Sequence, residues 1–384
     1  MKIVHMCLSC FYIDGYSYQE NEIVAQNVKD GHDVVVLAST ETFNDKRELD
    51  YLPASSYMGS DGARVIRFDY WRWLPHKIAR KIRGFHGIYK QLCAEKPDVV
   101  LFHGLCAWEL LSLIRYKKNF PDVKIYLDSH EDFNNSARGF FSKFFLHYLF
   151  YRTIFRMSLP YVEKVLCISK DTALFVGDFY GAPDTLLEFF PLGGAVLSDG
   201  EYVGRRERAR EQLGVKPEDL LFVQTGKMDS VKKIIESLEA FSSVATSANV
   251  KFYLAGYLYD DIKERALELI ASDDRIVYLG WNSTEDLRSL LCAADVYVQP
   301  GSQSATMQMS LCCRCVVMLD DVLSHEPFVT TNGWLLNAEM SLERAFAEAV
   351  RSYESRKIFE MSKESHRIAA KLLDYKKLSQ RILV

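Results

Sequence analysis

Short apolar runs alternate along this chain with longer stretches whose apolar positions recur three and four residues apart, and the alternation restarts near the middle. In the first half the runs 3–8, 34–37, 65–68, 97–103, 124–127 and 165–168 predict strands, with a helix over 20–29 that ends at Gly31. In the second half, 221–223, 252–254, 276–279, 296–298 and 316–319 predict strands with helices between them, and 341–384 reads as helical to the end. Strand, glycine loop, helix and strand in that order make a parallel unit whose ligand edge lies at the carboxyl ends of the strands. The pattern predicts an α/β protein of two doubly wound Rossmann-like domains. Pro191, Gly193 and Gly194, with polar residues through Gly204, mark the hinge. The expected domains are 1–196 and 197–365, with 366–384 a terminal helix packing back on the first domain. Residues 40–62 read as a polar, turn-rich connection.

The stretch LFVQTGKMDSVKKIIESLEAF, from Leu221, passes from a buried strand through a basic turn into an amphipathic helix. Gly226 breaks the apolar run, Lys227 closes the strand, and Lys232 is expected in the first helical turn, whose amide end disfavours a cation. A lysine there points to a bound anion; the plainer reading is a pair of solvated surface lysines. QPGSQSATMQMSLCCR, from Gln299, also follows a strand and enters a helix. Ser302, Ser304 and Thr306 supply hydroxyls beside the first free amides of that helix, a place for a diphosphate facing the lysines. The alternative is a plain N-cap by Ser302 or Ser304.

Two segments of the first half lack acidic residues although residues 1–196 carry 23 basic and 23 acidic side chains. One is 71–94, with Ile78, Ile82, Phe85 and Tyr89 on a single helical stripe; the other is 133–162, where Arg138, Lys143, Arg152 and Arg156 sit among many aromatics. Both fit docking to an anionic membrane surface or a lipid-linked acceptor, and both also fit core packing with a basic solvent side. Between them, DSHEDF brings Asp128, His130, Glu131 and Asp132 to the end of a strand, where a histidine amid carboxylates serves polar chemistry.

Composition narrows the classes. With 384 residues the chain exceeds one ordinary core. A net charge of −4 and no zinc-finger or other recognition motif argue against nucleic acid. The start MKIVHMCLSCFY is too brief an apolar run for a signal peptide, and no stretch approaches the roughly 20 apolar residues of a membrane span, so a cytoplasmic protein is expected, peripheral at the inner face of the membrane. Nine cysteines without matched ligand spacing read as reduced, buried thiols and not as a metal site. GxGxxG is absent, which disfavours a dinucleotide cofactor.

GHDVVVLAS, PDVVLFHG, DSHEDF, KVLCIS, YGAPDTLLEFFPLGG, TGKMDSVKKIIESLEAF and VYLGWNSTEDLRSLLCAADVYVQP, in this order, resemble the retaining, family-4 type of nucleotide-sugar glycosyltransferases with the GT-B fold over almost the whole chain. The resemblance implies two domains facing each other across a cleft, and transfer of a hexose from a nucleoside-diphosphate sugar to a hydroxyl of a glycan or lipid-linked acceptor, with retention and without a metal or other cofactor. It implies that Lys227 and Lys232 hold the donor diphosphate, that His130 contacts the donor sugar near the reacting carbon, and that Gly15 lies in the first-domain glycine loop. Gly226 belongs to the phosphate-binding unit, and Glu326 resembles a glutamate of a later loop.

One departure stands out. The family often carries two glutamates with seven residues between them; here Gln308 takes the second place and Pro300 the first, or the loop is shorter and the first glutamate is missing. Gln308 can still hydrogen-bond a ribose hydroxyl. Two other readings therefore stay open: a catalytically degenerate GT-B protein acting as a membrane-associated assembly partner, and a sugar-nucleotide epimerase.

Overall fold

Strands that lie between helices on both faces have no solvent side, so the apolar runs pair as parallel sheets. The computed structural model describes residues 1–44, 48–132, 142–244, 249–301 and 304–383, with the backbone alone for 142–145. Ser302, Arg138 and the aromatics of 133–141 lie outside the described residues, as do the side chains of Lys143 and its neighbours through 145. The chain divides into two units, Met1–Pro191 with Tyr375–Val384, and Leu192–Asp374.

The first unit holds β1 (Lys2–Cys7), β2 (Asp33–Ser39), β3 (Glu41–Phe43), β4 (Leu49–Tyr51), β5 (Ser56–Met58), β6 (Arg64–Phe68), β7 (Val99–His103), β8 (Lys124–Ser129), β9 (Lys164–Cys167) and β10 (Leu187–Phe189). Its main sheet runs β10-β9-β8-β7-β1-β2-β6-β5, parallel except for the edge pair β5 with β6. The winding reverses between β1 and β7. The second unit holds β11 (Leu220–Met228), β12 (Val250–Leu258), β13 (Ile276–Tyr278), β14 (Val296–Gln299), β15 (Val316–Asp320) and β16 (Gly333–Leu336). These form an all-parallel sheet in the order β13-β12-β11-β14-β15-β16, reversing between β11 and β14. Both units are Rossmann-like, as the alternation predicts.

Four expectations need correction. Residues 40–62 are not plain loop: β3 pairs with β4 as an antiparallel ribbon and β5 extends the main sheet, edges too short and polar to leave an apolar run. The stripe over 71–94 does not ride one helix. It splits into His76–Ile82 and Ile88–Glu95, because Arg83 (φ 53) and Gly87 (φ 81) turn left-handed. The Arg83 guanidinium is pulled in to the Ser9 carbonyl and hydroxyl and the Cys106 carbonyl, so Phe85 is buried while Ile78 is exposed. Helix Lys357–Leu372 runs on through residue 366, since Ile368 and Ala369 are buried in the second unit, and only Tyr375–Val384 returns to the first. There Leu378 and Ile382 join Ile3, Ile23 and Phe190, and Arg381 Nε donates to Glu188 at 2.9 Å. Lastly, Lys232 ends a 3-10 turn, Ser230–Lys232, and the helix Ile234–Ser242 begins only after Lys233 (φ 49).

The second core is built on rings: Phe222 meets Phe241 and Phe346 edge-on, at 5.8 Å and 5.0 Å between centroids, and all three are buried. Phe222→Ala should therefore lower the unfolding free energy of this unit by about 3–5 kcal/mol, the usual loss for a buried phenylalanine, measured by urea denaturation.

Candidate functional site

In a doubly wound sheet the crevice opens where the winding reverses, at the carboxyl ends of the two diverging strands. In the second unit, β11 pairs with β14 only at Phe222↔Val296 and Val223↔Tyr297, whereas it stays paired with β12 out to Met228↔Leu258. From Gln224 onward one side of β11 has left its neighbour. Buried polar side chains fill the gap, as backbone and side-chain polar groups out of water require. Gln224 Nε2 donates to the Lys232 carbonyl at 2.9 Å. The Tyr297 hydroxyl donates to Gln299 Oε1 at 3.0 Å and lies 3.3 Å from Thr225 Oγ1; Ser304 Oγ donates to the same Gln299 oxygen at 2.6 Å. Burial pushes the Tyr297 phenol up to about 12, so it stays a neutral donor at any physiological pH.

The lysine turn and the loop after β14 meet through glycine. Gly301 has φ +99, and a Cβ there would overlap the Val231 carbonyl oxygen and crowd the Lys232 Cα. One strand over, Gly226 (φ +129) pairs with Gly256 (φ +149), whose missing Cβ leaves room for the Gly226 carbonyl. The glycines thus let three backbones approach at one edge, with Lys227 exposed on it and Lys232 buried beneath. Burial lowers the Lys232 pKa and Asp229 partly offsets the fall. Asp229 also caps the turn, accepting from the Lys232 amide at 3.1 Å. Lys233 is drawn aside, its Nζ bonded to Asp320 at 2.9 Å.

Around this crevice the second unit gathers Gly226, Lys227, Lys232 and Ser304, and Ser302 lies outside the described residues. Ser304 occupies the N-cap position of helix Ala305–Cys312, but its hydroxyl turns inward to Gln299 and makes no cap bond, so the plain-cap alternative fails for it. Thr306 is half-buried in the first helical turn. Gln308 is buried one turn further, and its Oε1 has no partner among the described residues; the same holds for Gln299 Nε2 and Gln224 Oε1. Glu326 is exposed at the start of a 3-10 turn, Glu326–Phe328. At the same edge Tyr257 and Tyr259, in T-shaped contact, and Trp281, after β13, are exposed aromatics.

In the first unit the reversal lies between β1 and β7. There Asp128, the partner of His103 across the β7–β8 ladder, is buried and faces inward. Its Oδ2 contacts His103 Nδ1 at 2.5 Å, and its Oδ1 accepts from the Gly104 amide at 2.9 Å and lies 3.9 Å from His130 Nε2. His130 is partly exposed. His103 Nε2 in turn lies 3.0 Å from His5 Nδ1, and His5 Nε2 lies 3.0 Å from Asn27 Nδ2. Burial lowers His103, but the charge and hydrogen bond of Asp128 outweigh it and raise the pKa; His5 is held well below the usual range by burial and by His103. Burial raises Asp128, and His103 more than reverses that. Gly15, with φ +77, tops an exposed turn pinned where Asp14 accepts from the Ser60 amide and hydroxyl.

The buried residues His5 and Asn27, and the crevice residues Gln224, Tyr297, Gln299 and Gly301, carry no weight in the sequence reading. A signal was present: His5 in KIVHMC and Gln299 in VYVQ are polar residues in otherwise apolar strands. A polar group in a strand covered on both faces must find a buried partner.

Comparison with known proteins bears on the fold. Residues 21–193 match Glycosyltransferase Family 4, and residues 219–354 match Glycosyl transferases group 1. No curated protein matches the sequence. Among solved structures, a glycosyltransferase from Rickettsia africae ESF-5 is 14% identical with a TM-score of 0.66, over 100% of this chain and 96% of that one. Anabaena Alr3699/HepE, solved in complex with UDP, is 14% identical with a TM-score of 0.65, over 100% and 98%. WaaG, a glycosyltransferase involved in lipopolysaccharide biosynthesis, is 14% identical with a TM-score of 0.61, over 99% and 98%. With one family matched on its first unit and the other on its second, each built on a parallel sheet, the chain has the GT-B fold.

Proposed function

We propose that the second unit binds a nucleoside-diphosphate sugar in the crevice between β11 and β14, and that the protein transfers the sugar, with retention, to a hydroxyl of a glycan or lipid-linked glycan in surface polysaccharide or glycoconjugate assembly. The observation that carries this reading is the approach of Gly301 to the Val231–Lys232 backbone, which sets the lysine turn against the entrance of helix Ala305–Cys312. Two cations and free helix amides at one place make a diphosphate site. UDP and UDP-glucose in the Anabaena structures, and lipopolysaccharide synthesis by WaaG, support the donor class and the pathway.

In this reading the diphosphate leaves as the acceptor hydroxyl attacks the same face of the sugar. Lys227, Lys232 and the helix amides stabilise the charge that grows on the leaving group, and no carboxylate nucleophile or metal is used. Gln308 offers an oxygen unpartnered among the described residues to a ribose hydroxyl, Glu326 its carboxylate to the donor, and Tyr257 and Trp281 a platform for the base. His130 contacts the sugar near the reacting carbon.

Membrane attachment belongs to the same proposal. No helix of the described residues is long and apolar enough to cross a membrane. Trp73 and Ile78 are 68% and 48% exposed beside Arg72, Lys77 and Lys81, an amphipathic surface suited to anionic lipid.

Calorimetry with a panel of nucleoside diphosphates and their sugars should find tight binding for one base and release of that nucleoside diphosphate on turnover. Lys232→Ala should weaken binding about 10- to 100-fold, the loss of one buried charge-assisted bond, and the exposed Lys227→Ala less. Unchanged affinity in both, or silence across all bases, would sink the donor site and favour the assembly-partner reading. Sugar inversion without an acceptor would point to an epimerase.

Gly301→Ala should mimic Lys232→Ala in affinity, because the added Cβ drives the two loops apart while the sheet below is untouched. Native circular dichroism with at least tenfold weaker nucleotide binding is the expected pair of results.

Liposome flotation should recover the protein with anionic vesicles at low salt and lose it as salt rises, each surface cation contributing about 1 kcal/mol. Lys77→Glu with Lys81→Glu should abolish flotation without altering nucleotide affinity.

A further inference from the structure

The four groups Asn27, His5, His103 and Asp128 are buried in one line across the helix Gln19–Lys29 and the strands β1, β7 and β8. None is needed to hold a diphosphate. A buried chain of this kind costs stability unless every member is satisfied, and here satisfaction dictates where each proton sits. Asn27 Nδ2 donates to His5 Nε2, which leaves His5 protonated at Nδ1; that proton goes to His103 Nε2, and His103 Nδ1–H goes to Asp128. All bonds point one way, toward the carboxylate. Asn27 Oδ1 is left buried without a partner among the described residues.

A second arrangement satisfies the same groups with one more proton. If His103 carries hydrogens on both nitrogens, its Nε2–H must be donated, so His5 Nδ1 becomes the acceptor. His5 is then protonated at Nε2, and only the Asn27 oxygen can accept from it, after the carboxamide turns over. The first state holds two ring protons on the pair of histidines, the second three, and the added charge rests on His103 against Asp128. The unpartnered Asn27 oxygen is the group this second state uses.

We infer that His5, His103 and Asp128 form a buried relay that reverses its hydrogen-bond direction on taking up one proton, and that His103 and Asp128 are positioning residues for His130 at its open end. His130 is the partly exposed member, 3.9 Å from the Asp128 oxygen that His103 does not occupy. Its link to transfer rests on the proposed function; the relay itself does not.

The directions of the pKa shifts agree: His103 is raised and His5 lowered, so the proton goes to His103 and His5 changes tautomer without ionising. Other titratable groups face the relay as well. Glu20 comes from the helix Gln19–Lys29, where burial raises its pKa; Cys7 and Cys10 come from β1 and its loop, Cys167 from β9, and His130 from the end of β8. Burial raises Cys7 well above its ordinary value and Cys167 to about 12, so both stay neutral in the range where His103 titrates. The sign for stability follows from the raised His103. Its contribution is complete below the unfolded histidine value, about 6.5, and is lost as pH rises through the higher folded value.

Long-range proton–nitrogen NMR on the full chain with nitrogen-labelled histidine tests this directly. At high pH both rings should be neutral and protonated at Nδ1. As pH falls, His103 should ionise with a midpoint above about 6.5, and His5 should switch to the Nε2–H form in the same transition while remaining neutral. A His5 that keeps its tautomer through that transition, or ionises with it, overturns the relay. Asn27→Asp supplies the acceptor the second state needs and should raise the midpoint by about one pH unit, whereas Asn27→Leu should lower it by a similar amount. Equal midpoints in both variants would also overturn it.

The positioning role has its own readout. His103→Gln keeps a donor to Asp128 but cannot take up a proton, so the change in transfer rate that accompanies His103 ionisation in the native chain should vanish from its pH profile. A profile in which that limb persists, merely scaled down, would mean that His103 acts only as structure. Failure of the transferase reading would remove this last arm and leave the NMR result standing.

Discussion

The parting of β11 from β14 after Val223 and Tyr297 is the constraint on which the second unit's chemistry depends. A parallel sheet satisfies its own backbone, and a strand that leaves its neighbour early must be satisfied another way. Here β12 keeps one side of β11 to Met228, and Gln224, Thr225, Tyr297, Gln299 and Ser304 replace the ladder on the other. The outcome is an edge lined by amides and hydroxyls, not by a hydrophobic seam. The glycines then become obligatory: with side chains at 256 or 301 the backbones that form the crevice would collide. A cation such as Lys232 tolerates burial there because the surroundings are polar and Asp229 is near, and its lowered pKa records what the burial costs.

The first unit repeats the geometry with different chemistry. Its β1 and β7 stay in register from Ile3↔Val99 to Met6↔Phe102, and the polar groups gathered within and just beyond that pairing are titratable: two histidines and an aspartate, with Glu20 near. Amides and hydroxyls keep their character at every pH, so the second unit's crevice has a fixed polarity that only its lysines modulate. Imidazoles do not. Two similar sheets therefore end in a crevice of amides and hydroxyls in one case and in titratable groups in the other.

How far this was legible in the sequence follows the same physics. The covered strands were read correctly because a strand such as VVLFH or VVMLD announces itself by an unbroken apolar run. The short edges Leu49–Tyr51, Ser56–Met58 and Leu187–Phe189 were not, since an exposed or half-covered edge carries no such run. Helical periodicity over 71–94 misled because period alone ignores the backbone: Arg83 turns left-handed to bring its guanidinium onto Ser9, a long-range contact with no local signature. Lys227, Lys232 and Ser304 were legible as polar residues at strand ends, and the structure places them at the carboxyl edge of the second sheet. Gly301, which joins them, was passed over because nothing in QPGSQS says what its backbone must touch.

Gln308 now has a physical context that its resemblance to a glutamate position could not supply. A carboxylate buried at that point would have to be paired or protonated, whereas an amide of the same shape carries no charge to take out of water. Burial holds Lys232 below its ordinary pKa and Asp229 compensates only in part, so an anion placed against it would raise that pKa and, by linkage, gain affinity. In the proposed function the amide therefore keeps the hydrogen-bonding half of a glutamate's role, with an oxygen unpartnered among the described residues, and gives up the charge that burial would make costly.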